Sequence, residues 1–502
     1  YSHLAWGPHP EHGDEDEILK AEVFLAREVI IKESQAGDSV KPTVAFNPAN
    51  PERPKWVEAK TLEQTRLEAY TTWRKLTPEE EKLWREGKIQ AVPCALLLNR
   101  KRDGRFKARL VVLGNRWKPN DEDNAVYASV VSQVGNRACM VQIAREGYHP
   151  IPFDISNAFV RASMGSIQVC VRLPESFRDV KDDKDDGKRM LLKALYGLPI
   201  SPRLWAKTLS KDLEKLGWKE CKHEPGVWSL TEKGKVVGYM TVYVDDCILA
   251  CNSIEKTKLE LDRVHKTHPL KVIETTVSAE GTIAFDMTGV DVEINPSMRT
   301  LRISMRKYSE KLLKRFDMTN CKGRSNPAFP EEKLFATNAD KSPFPFRECV
   351  GALQWLATNC RPDLAHSTNM LARASCMPVT TSMAGCCRMV MRYLKATLDQ
   401  AITYSPESEA EFEEKFSKLS EHADNAKVDK SQAHNAVHTF TDASFGVTYK
   451  EMRSISGVVI YLYGTPIAWK SKVQTVFASS TTESEWIAMS DGIEVGQSVS
   501  AL

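Results

Sequence analysis

The stretch that decides the fold is GKVVGYMTVYVDDCILACN, residues 234–252. Two runs of β-branched, aromatic and aliphatic residues flank an Asp-Asp pair, the pattern of a β-hairpin with carboxylates at its tip. About ninety residues upstream, HPIPFDIS (149–156) reads as a buried strand ending in Asp154. An unpaired carboxylate in an apolar setting is costly. Three of them brought together repel unless a cation joins them. Two Mg2+ ions about 3.5–4 Å apart would neutralise Asp154, Asp245 and Asp246 and serve phosphoryl transfer. Magnesium suits such a site because it keeps waters and takes one or two carboxylates plus substrate phosphates, with Mn2+ as the alternative ion. Adjacent strand residues point to opposite faces, so Asp245 and Asp246 cannot both face Asp154 from a regular strand. Asp154 and Asp245 are therefore the expected bridging ligands, with Asp246 re-aimed by the turn or in support. A Tyr-x-Asp-Asp string alone is a weak motif, and Asp-Asp is also an ordinary turn. The strand, turn, strand context and the second strand-terminal Asp carry the reading.

The 502-residue length predicts roughly two to four domains. Apolar residues at 42% and charged residues at 27% are ordinary globular usage, which excludes wholesale disorder. Lys and Arg number 69 against 66 Asp and Glu, and the resulting +3 argues neither for nor against a nucleic-acid partner. No apolar run approaches the ~18–20 residues of a membrane span. The N-terminus YSHLAWGPHP lacks the basic and apolar regions of a signal peptide, and its first residue, Tyr1, suggests a fragment or a processed piece. Twelve cysteines without a C-x-x-C pair read as reduced thiols of an intracellular protein, with Cys247/Cys251 and Cys386/Cys387 as core residues. His265-x-x-His268 lacks two further nearby ligands for zinc.

Residues 1–54 read as a poorly ordered segment, acidic at EHGDEDE and proline-rich at KPTVAFNPANPERP. A helical stretch follows from about Lys55 to Lys88. VPCALLLNR and RFKARLVVLGN then form a hairpin across Asp103-Gly104. From Asn99 to Lys118 this hairpin carries eight Lys and Arg, among them Lys107 and Arg109, against Asp103. It is either a solvated edge, protected from aggregation by charge, or a phosphate-facing surface. SPRLWAKTLSKDLEKLGW reads as a helix with Ser201 as cap and Pro202 in the first turn. Arg299 to Arg324 holds nine Lys and Arg and an apolar face of Tyr308, Leu312, Leu313 and Phe316. That pattern fits a core helix or a helix packed on a nucleic-acid backbone. Cys349 to Tyr404 reads as mostly helical. Residues 405–437 read as an acidic linker or surface insertion. Residues 438–502 read as three strands and a helix.

FDISNAF (153–159), LLKALYGLPISPRLW (191–205) and YVDD (243–246) together resemble the palm of a reverse transcriptase of the copia type of LTR retrotransposon. DGRFKARLVVLGN (103–115) resembles that family's fingers hairpin. VGALQWLATNCRPDLAHSTNMLAR (350–373) and MRYLKATLDQAITY (391–404) resemble its connection. TFTDASFG (439–446), RSISGVVIYLYGTPIAWKSK (453–472) and ASSTTESEWIAMS (478–490) resemble the opening of its RNase H domain. The order matches the reverse transcriptase and RNase H region of a Pol polyprotein over roughly residues 55–502.

The resemblance implies an α+β right-hand polymerase: fingers, palm and thumb over 55–330, a helical connection over 331–404, and a partial RNase H-like α/β unit over 438–502. It implies RNA-directed DNA synthesis by two-metal nucleotidyl transfer from dNTP to a primer 3′-OH. The implied partners are an RNA template, a DNA primer or RNA/DNA duplex, and dNTPs. The implied location is intracellular, in a cytoplasmic particle, the nucleus or both. Asp154, Asp245 and Asp246 match the metal-binding aspartates. Phe159 matches the aromatic that excludes a ribose 2′-OH, and Tyr196, Gly197 and Pro202 match the elements that hold the template–nucleotide pair. Lys107 and Arg109 are candidates for the triphosphate. Asp442 and Glu483 match the first two of four RNase H carboxylates, and the set is incomplete, so RNA cleavage by this chain is not expected. Two departures stand out: AFVRA where the family usually reads AFLNG, and YGLPI where it usually reads YGLKQ. They leave a rival expectation, a catalytically decayed or co-opted copy that binds nucleic acid without synthesis.

Overall fold

Residues 235–251 form the middle of a six-stranded antiparallel sheet. In a computed structural model that describes residues 37–101, 104–118, 128, 130–178, 185–336, 339–421, 437–448 and 452–500, this sheet runs in the order Leu270–Val272, His149–Ile155, Asp246–Cys251, Lys235–Tyr243, Val227–Glu232, Trp218–Glu220. Cys247 to Cys251 are fully buried, so the strand reads as a continuous apolar run rather than an alternating one. Ile248 and Ala250 share a core with Ala138, Val141, Ile143 and Ala144 of helix Gln133–Arg145. On the other edge of the backbone, the Thr257 hydroxyl of helix Ile254–Thr267 accepts the Cys251 amide at 3.0 Å and donates to the His149 carbonyl at 2.9 Å. That one side chain ties two strands of the sheet to the helix after them.

The chain divides into two compact units, Tyr1–Ser129 with Ser156–Asp212, and Val130–Ile155 with Leu213–Leu502. The first contains a mixed sheet in the order Gly37–Val40, Ala91–Lys101, Cys170–Arg172, Lys188–Leu191, Trp73–Arg74, with Phe106–Val112 also paired to Ala91–Lys101. The basic hairpin is thus confirmed as Ala91–Lys101 and Phe106–Val112, while Asp103 of its turn lies outside the described residues. Residues 37–54, expected to be poorly ordered, instead pair Gly37–Val40 with the hairpin's first strand and form helix Pro42–Ala45. Residues 55–88, expected as a helical stretch, hold two helices, Arg53–Ala69 and Pro78–Arg85, with the short strand Trp73–Arg74 between them. The break follows from a capping box: Thr77 accepts the Glu80 amide, the Glu80 carboxylate accepts the Thr77 amide, and Pro78 sits in the first turn.

In the second unit, a five-stranded antiparallel sheet runs Thr276–Val277, Ile283–Met287, Val290–Asn295, Thr300–Ser304, Ile402–Tyr404. Its last strand comes from the end of the stretch expected to be helical. The helices Phe346–Asn359, Ala365–Arg373 and Thr381–Ala396 make up the rest of that stretch. Buried Arg361 joins them: its guanidinium forks onto Asp363 and also donates to the Thr397 carbonyl at 3.1 Å. The acidic linker expected over 405–437 begins with a helix instead, Pro406–Glu421, and 422–436 lie outside the described residues. Phe412 explains the difference, since its ring stacks on Tyr461 at 5.0 Å and meets His438 edge-on. The C-terminal segment forms a three-stranded antiparallel sheet, Val437–Ser444, Ile455–Leu462, Thr465–Val473, followed by helix Thr481–Ser500. Buried Arg137 ties this sheet to the rest of its unit. It donates to the carbonyls of Ile467 at 2.7 Å and of Thr358 and Asn359 at 3.0 Å, and lies 4.2 Å over the Trp469 ring.

All twelve cysteines are free thiols. Among the described residues, no helix is long and apolar enough to cross a membrane.

Candidate active site

Strand register builds the acidic cluster. Tyr243 pairs with Asp246, which leaves Val244 and Asp245 as the two turn residues. The hairpin therefore turns on Val-Asp rather than on the Asp-Asp pair that the sequence suggests, and Asp246 is the first residue of the returning strand. Val244 has φ +64°, a left-handed conformation that a β-branched residue enters at a cost of about 1–3 kcal/mol. A glycine would sit there without strain. The conformation is imposed by the strands, which pair continuously from Gly238–Cys251 to Tyr243–Asp246.

Asp154 lies directly across from Asp246, and Phe153 across from Cys247. One step further, the Ile155 amide donates to the Asp245 carbonyl at 2.8 Å. That makes Asp154–Asp246 a non-hydrogen-bonded pair, in which side chains share a face and stand closest, with Cα atoms about 4.5 Å apart. On its other side Asp154 pairs with Lys271. A cross-strand row thus runs Tyr243, Asp246, Asp154, Lys271, placing a cation beside the acids that nothing in the local sequence reveals. Asp154, Asp245 and Asp246 are each half-buried above fully buried Phe153 and Cys247. Cys247 registers all three charges: burial pushes its thiol well up, and Asp246, Asp245 and Asp154 add to the shift.

Like charges opposite one another on neighbouring strands destabilise a sheet unless something neutralises them. The oxygen-only donor set suits a hard divalent cation. Among the described residues, however, no three His, Cys, Asp or Glu side chains are gathered closely enough to enclose an ion. The backbone brings the acids side by side without closing them into a cage.

The candidate nucleotide-contacting residues Lys107, Arg109, Phe159, Tyr196 and Gly197 fall in the first unit. Arg109 lies on strand Phe106–Val112 opposite Leu97, with its guanidinium carbon 4.4 Å over the Tyr196 ring. Tyr196 meets the Phe159 ring edge-on at 4.9 Å and 72°. Lys107 is on the same strand face as Arg109, opposite Asn99. The Tyr196 carbonyl accepts the Val112 amide at 2.7 Å. Gly197, at φ +84°, presses on the same strand, and a Cβ there would stand 2.1 Å from the Val112 carbonyl oxygen. Only glycine fits. Ser201, expected as a helix cap, is instead buried and closes the loop by bonding both backbone groups of Leu195. The loop that departs from the family pattern at Pro199 is tightly packed: Pro199 Cδ stands 2.5 Å from where a Cβ of Gly114 would be.

Asp442 and Glu483 have unlike surroundings. Asp442 pairs with Gly457, which pairs with Ser471, and these line a cavity of about 320 Å3 with His366 and Trp469. The Glu483 carboxylate accepts the Ser479 amide at 2.6 Å and the Ser479 hydroxyl at 2.5 Å, and these bonds hold its carboxyl below the usual range. It tightens the start of helix Thr481–Ser500. The basic helix Arg306–Arg315 spends much of its charge internally: Arg306 pairs with Glu310 and Asp399, Lys307 with Asp291, Arg315 with Glu348. Lys311 and Lys314 stand exposed.

Residues 89–330 match the family model described as reverse transcriptase (RNA-dependent DNA polymerase). The retrovirus-related Pol polyprotein from transposon RE2 of Arabidopsis thaliana is 29% identical over 406 residues, 79% of this chain and 25% of its own length. The retrovirus-related Pol polyprotein from transposon TNT 1-94 of Nicotiana tabacum is 22% identical over 92% of this chain and 32% of its own length. The putative transposon Ty5-1 protein of Saccharomyces cerevisiae is 25% identical over 68% of this chain and 99% of its own length. The chain spans about a quarter to a third of the plant polyproteins that it matches.

Proposed function

Because residues 89–330 are a reverse transcriptase domain, in a chain related over most of its length to copia-type retrotransposon Pol polyproteins, we propose that this chain synthesises DNA on an RNA template from dNTPs and a primer. The observation that carries the reading is the register that sets Asp154 opposite Asp246 with Asp245 in the adjoining turn. In this reading Asp154, Asp245 and Asp246 hold Mg2+, which when bound lowers the pKa of the primer 3′-OH and offsets charge on the triphosphate. Mn2+ is the alternative ion.

The chain's own residues do the rest. The half-buried position of the three acids leaves their oxygens reachable, while Phe153 and Cys247 behind them exclude water. Lys271 offsets part of the negative charge at Asp154 and limits repulsion before any substrate arrives. Lys107 and Arg109 supply positive charge for the triphosphate. Phe159 presents its ring to the sugar and excludes a 2′-OH, so dNTPs are used and rNTPs are not. Gly197 lets the loop carrying Tyr196 close onto strand Phe106–Val112, which fixes the ring beside Phe159. In this reading the fingers take in about residues 55–150, with the basic hairpin, and part of 160–200, the palm about 151–290, with the six-stranded sheet, and the thumb about 291–330. Exposed Lys311 and Lys314 would meet the duplex backbone, giving non-specific binding that weakens with salt. The C-terminal sheet and helix are RNase H-like in this reading.

Extension of oligo(dT) on poly(rA) with Mg2+ and dTTP tests the proposal. Incorporation that disappears in Asp154→Asn supports it. Duplex binding without any incorporation by the wild-type chain would instead favour a decayed, binding-only copy.

A further inference from the structure

We propose that Arg109 is a positioning residue for sugar selection: seated over the Tyr196 ring, it holds the ring that braces Phe159. The inference rests on the DNA-synthesis reading and extends it from a triphosphate contact to a second duty of the same side chain. Three rings and planes stand in sequence. The Arg109 guanidinium carbon is 4.4 Å from the Tyr196 centroid, and the Tyr196 centroid is 4.9 Å from that of Phe159 at 72°. A guanidinium over a ring face and an edge-to-face ring pair are both directional contacts, so each fixes the orientation of the next.

The backbones that carry this stack are anchored, while its rings are oriented by contact. The backbone of Tyr196 is pinned to strand Phe106–Val112 through the Val112 amide. The backbone around Phe159 is pinned by Arg161, which donates to the Ser156 carbonyl at 2.9 Å and to the Tyr70 hydroxyl at 2.7 Å. Neither bond touches the Phe159 ring, whose bracing contact in the stack is Tyr196. On the other side, Arg109 is held in place by its own strand. Buried Glu63 of helix Arg53–Ala69 accepts the Leu110 amide at 3.2 Å and pairs with Arg66. Burial lowers Arg66 from its ordinary value, with smaller contributions from Tyr196 and Arg109 nearby. The Tyr196 ring cannot turn away from Phe159 without giving up its contact with the Arg109 guanidinium.

The test is the ratio of kcat/KM for dTTP to that for UTP in primer extension, with KM and kcat recorded separately and folding checked by thermal melting. Arg109→Met should lower the ratio about tenfold, the factor expected when one bracing aromatic contact is lost. Arg109→Lys keeps the charge but loses the planar stack, so it should recover dTTP KM and not the ratio. Tyr196→Phe should keep the ratio, and Tyr196→Leu should lose it. Adding Arg109→Met to Tyr196→Leu should lower it no further, since the two act in series. An Arg109→Met variant that loses dTTP and UTP use by the same factor, or an Arg109→Lys variant that restores the ratio, would overturn the inference while leaving DNA synthesis intact. A wild-type chain that incorporates neither nucleotide removes the reading itself, and the inference with it.

Discussion

Two sets of acids in the second unit meet opposite fates. Across the ladder from Asp154 stands another carboxylate, Asp246, beside a turn strained at Val244. Across from Asp442 stands Gly457, and Glu483 is occupied with the backbone and hydroxyl of Ser479. Around the C-terminal sheet, charge is paired off: Arg137 is spent on three carbonyls, and Lys470 faces Asp491 at 3.4 Å. At the hairpin, like charges and backbone strain stand together, with Lys271 next in the cross-strand row. Strained backbone clusters at functional sites, and that sets the hairpin apart from the C-terminal sheet as the candidate for chemistry.

The largest expected effect breaks or keeps that contrast outright. Asp246→Asn should reduce dTTP incorporation by at least about a thousandfold. Asp442→Asn should leave it within about twofold, since Asp442 belongs to the C-terminal sheet and not to the sheet that carries the three acids. Equal damage from both would erase the distinction. Next, Arg137→Met should cost about 3 kcal/mol in urea unfolding, because it strands buried carbonyls at a helix end and at the C-terminal sheet. A loss below about 1 kcal/mol would mean that the sheet is not held by this residue. Val244→Gly should stabilise the chain by about 1 kcal/mol by relieving the left-handed conformation. Destabilisation there would show that the valine side chain contributes more than its strain removes.

The smallest effect concerns acid. The Glu483 carboxyl is held below its ordinary value by Ser479. Its contribution is therefore complete above the ordinary carboxylate range and is lost as pH falls through the lowered value. Protection factors, corrected for the intrinsic exchange rate, should fall at the first turn of helix Thr481–Ser500 as pH drops below the ordinary carboxylate range, while the helix centre stays protected. Unchanged protection of that turn at low pH would contradict the capping role.

Much of this was legible in the residues themselves. The β-branched runs around YVDD announce the hairpin, and the apolar run before Asp154 announces its strand. The Thr77-Pro78 break was equally visible as a cap signal, yet the surrounding helical spacing concealed it. The helix at Pro406–Glu421 was hidden by its charge, although Phe412 and Phe416 are spaced to form one apolar edge. Register was not legible. That Asp154 meets Asp246 rather than Asp245 across the ladder, and that Lys271 flanks it, depends on pairings between segments far apart in the chain. Local propensity does not encode them. The stack of Arg109, Tyr196 and Phe159 was accessible only as three separate candidates.

The Asp154–Asp246 pair, with Asp245 beside it, is proposed to hold divalent metal for DNA synthesis. Electron paramagnetic resonance of Mn2+ in the presence of primer–template and dTTP reports on that site. Wild-type protein should bind Mn2+ tightly, and the Asp154→Asn/Asp246→Asn double variant, shown to be folded by thermal melting, should lose that binding. Equal Mn2+ occupancy in both proteins would rule the assignment out.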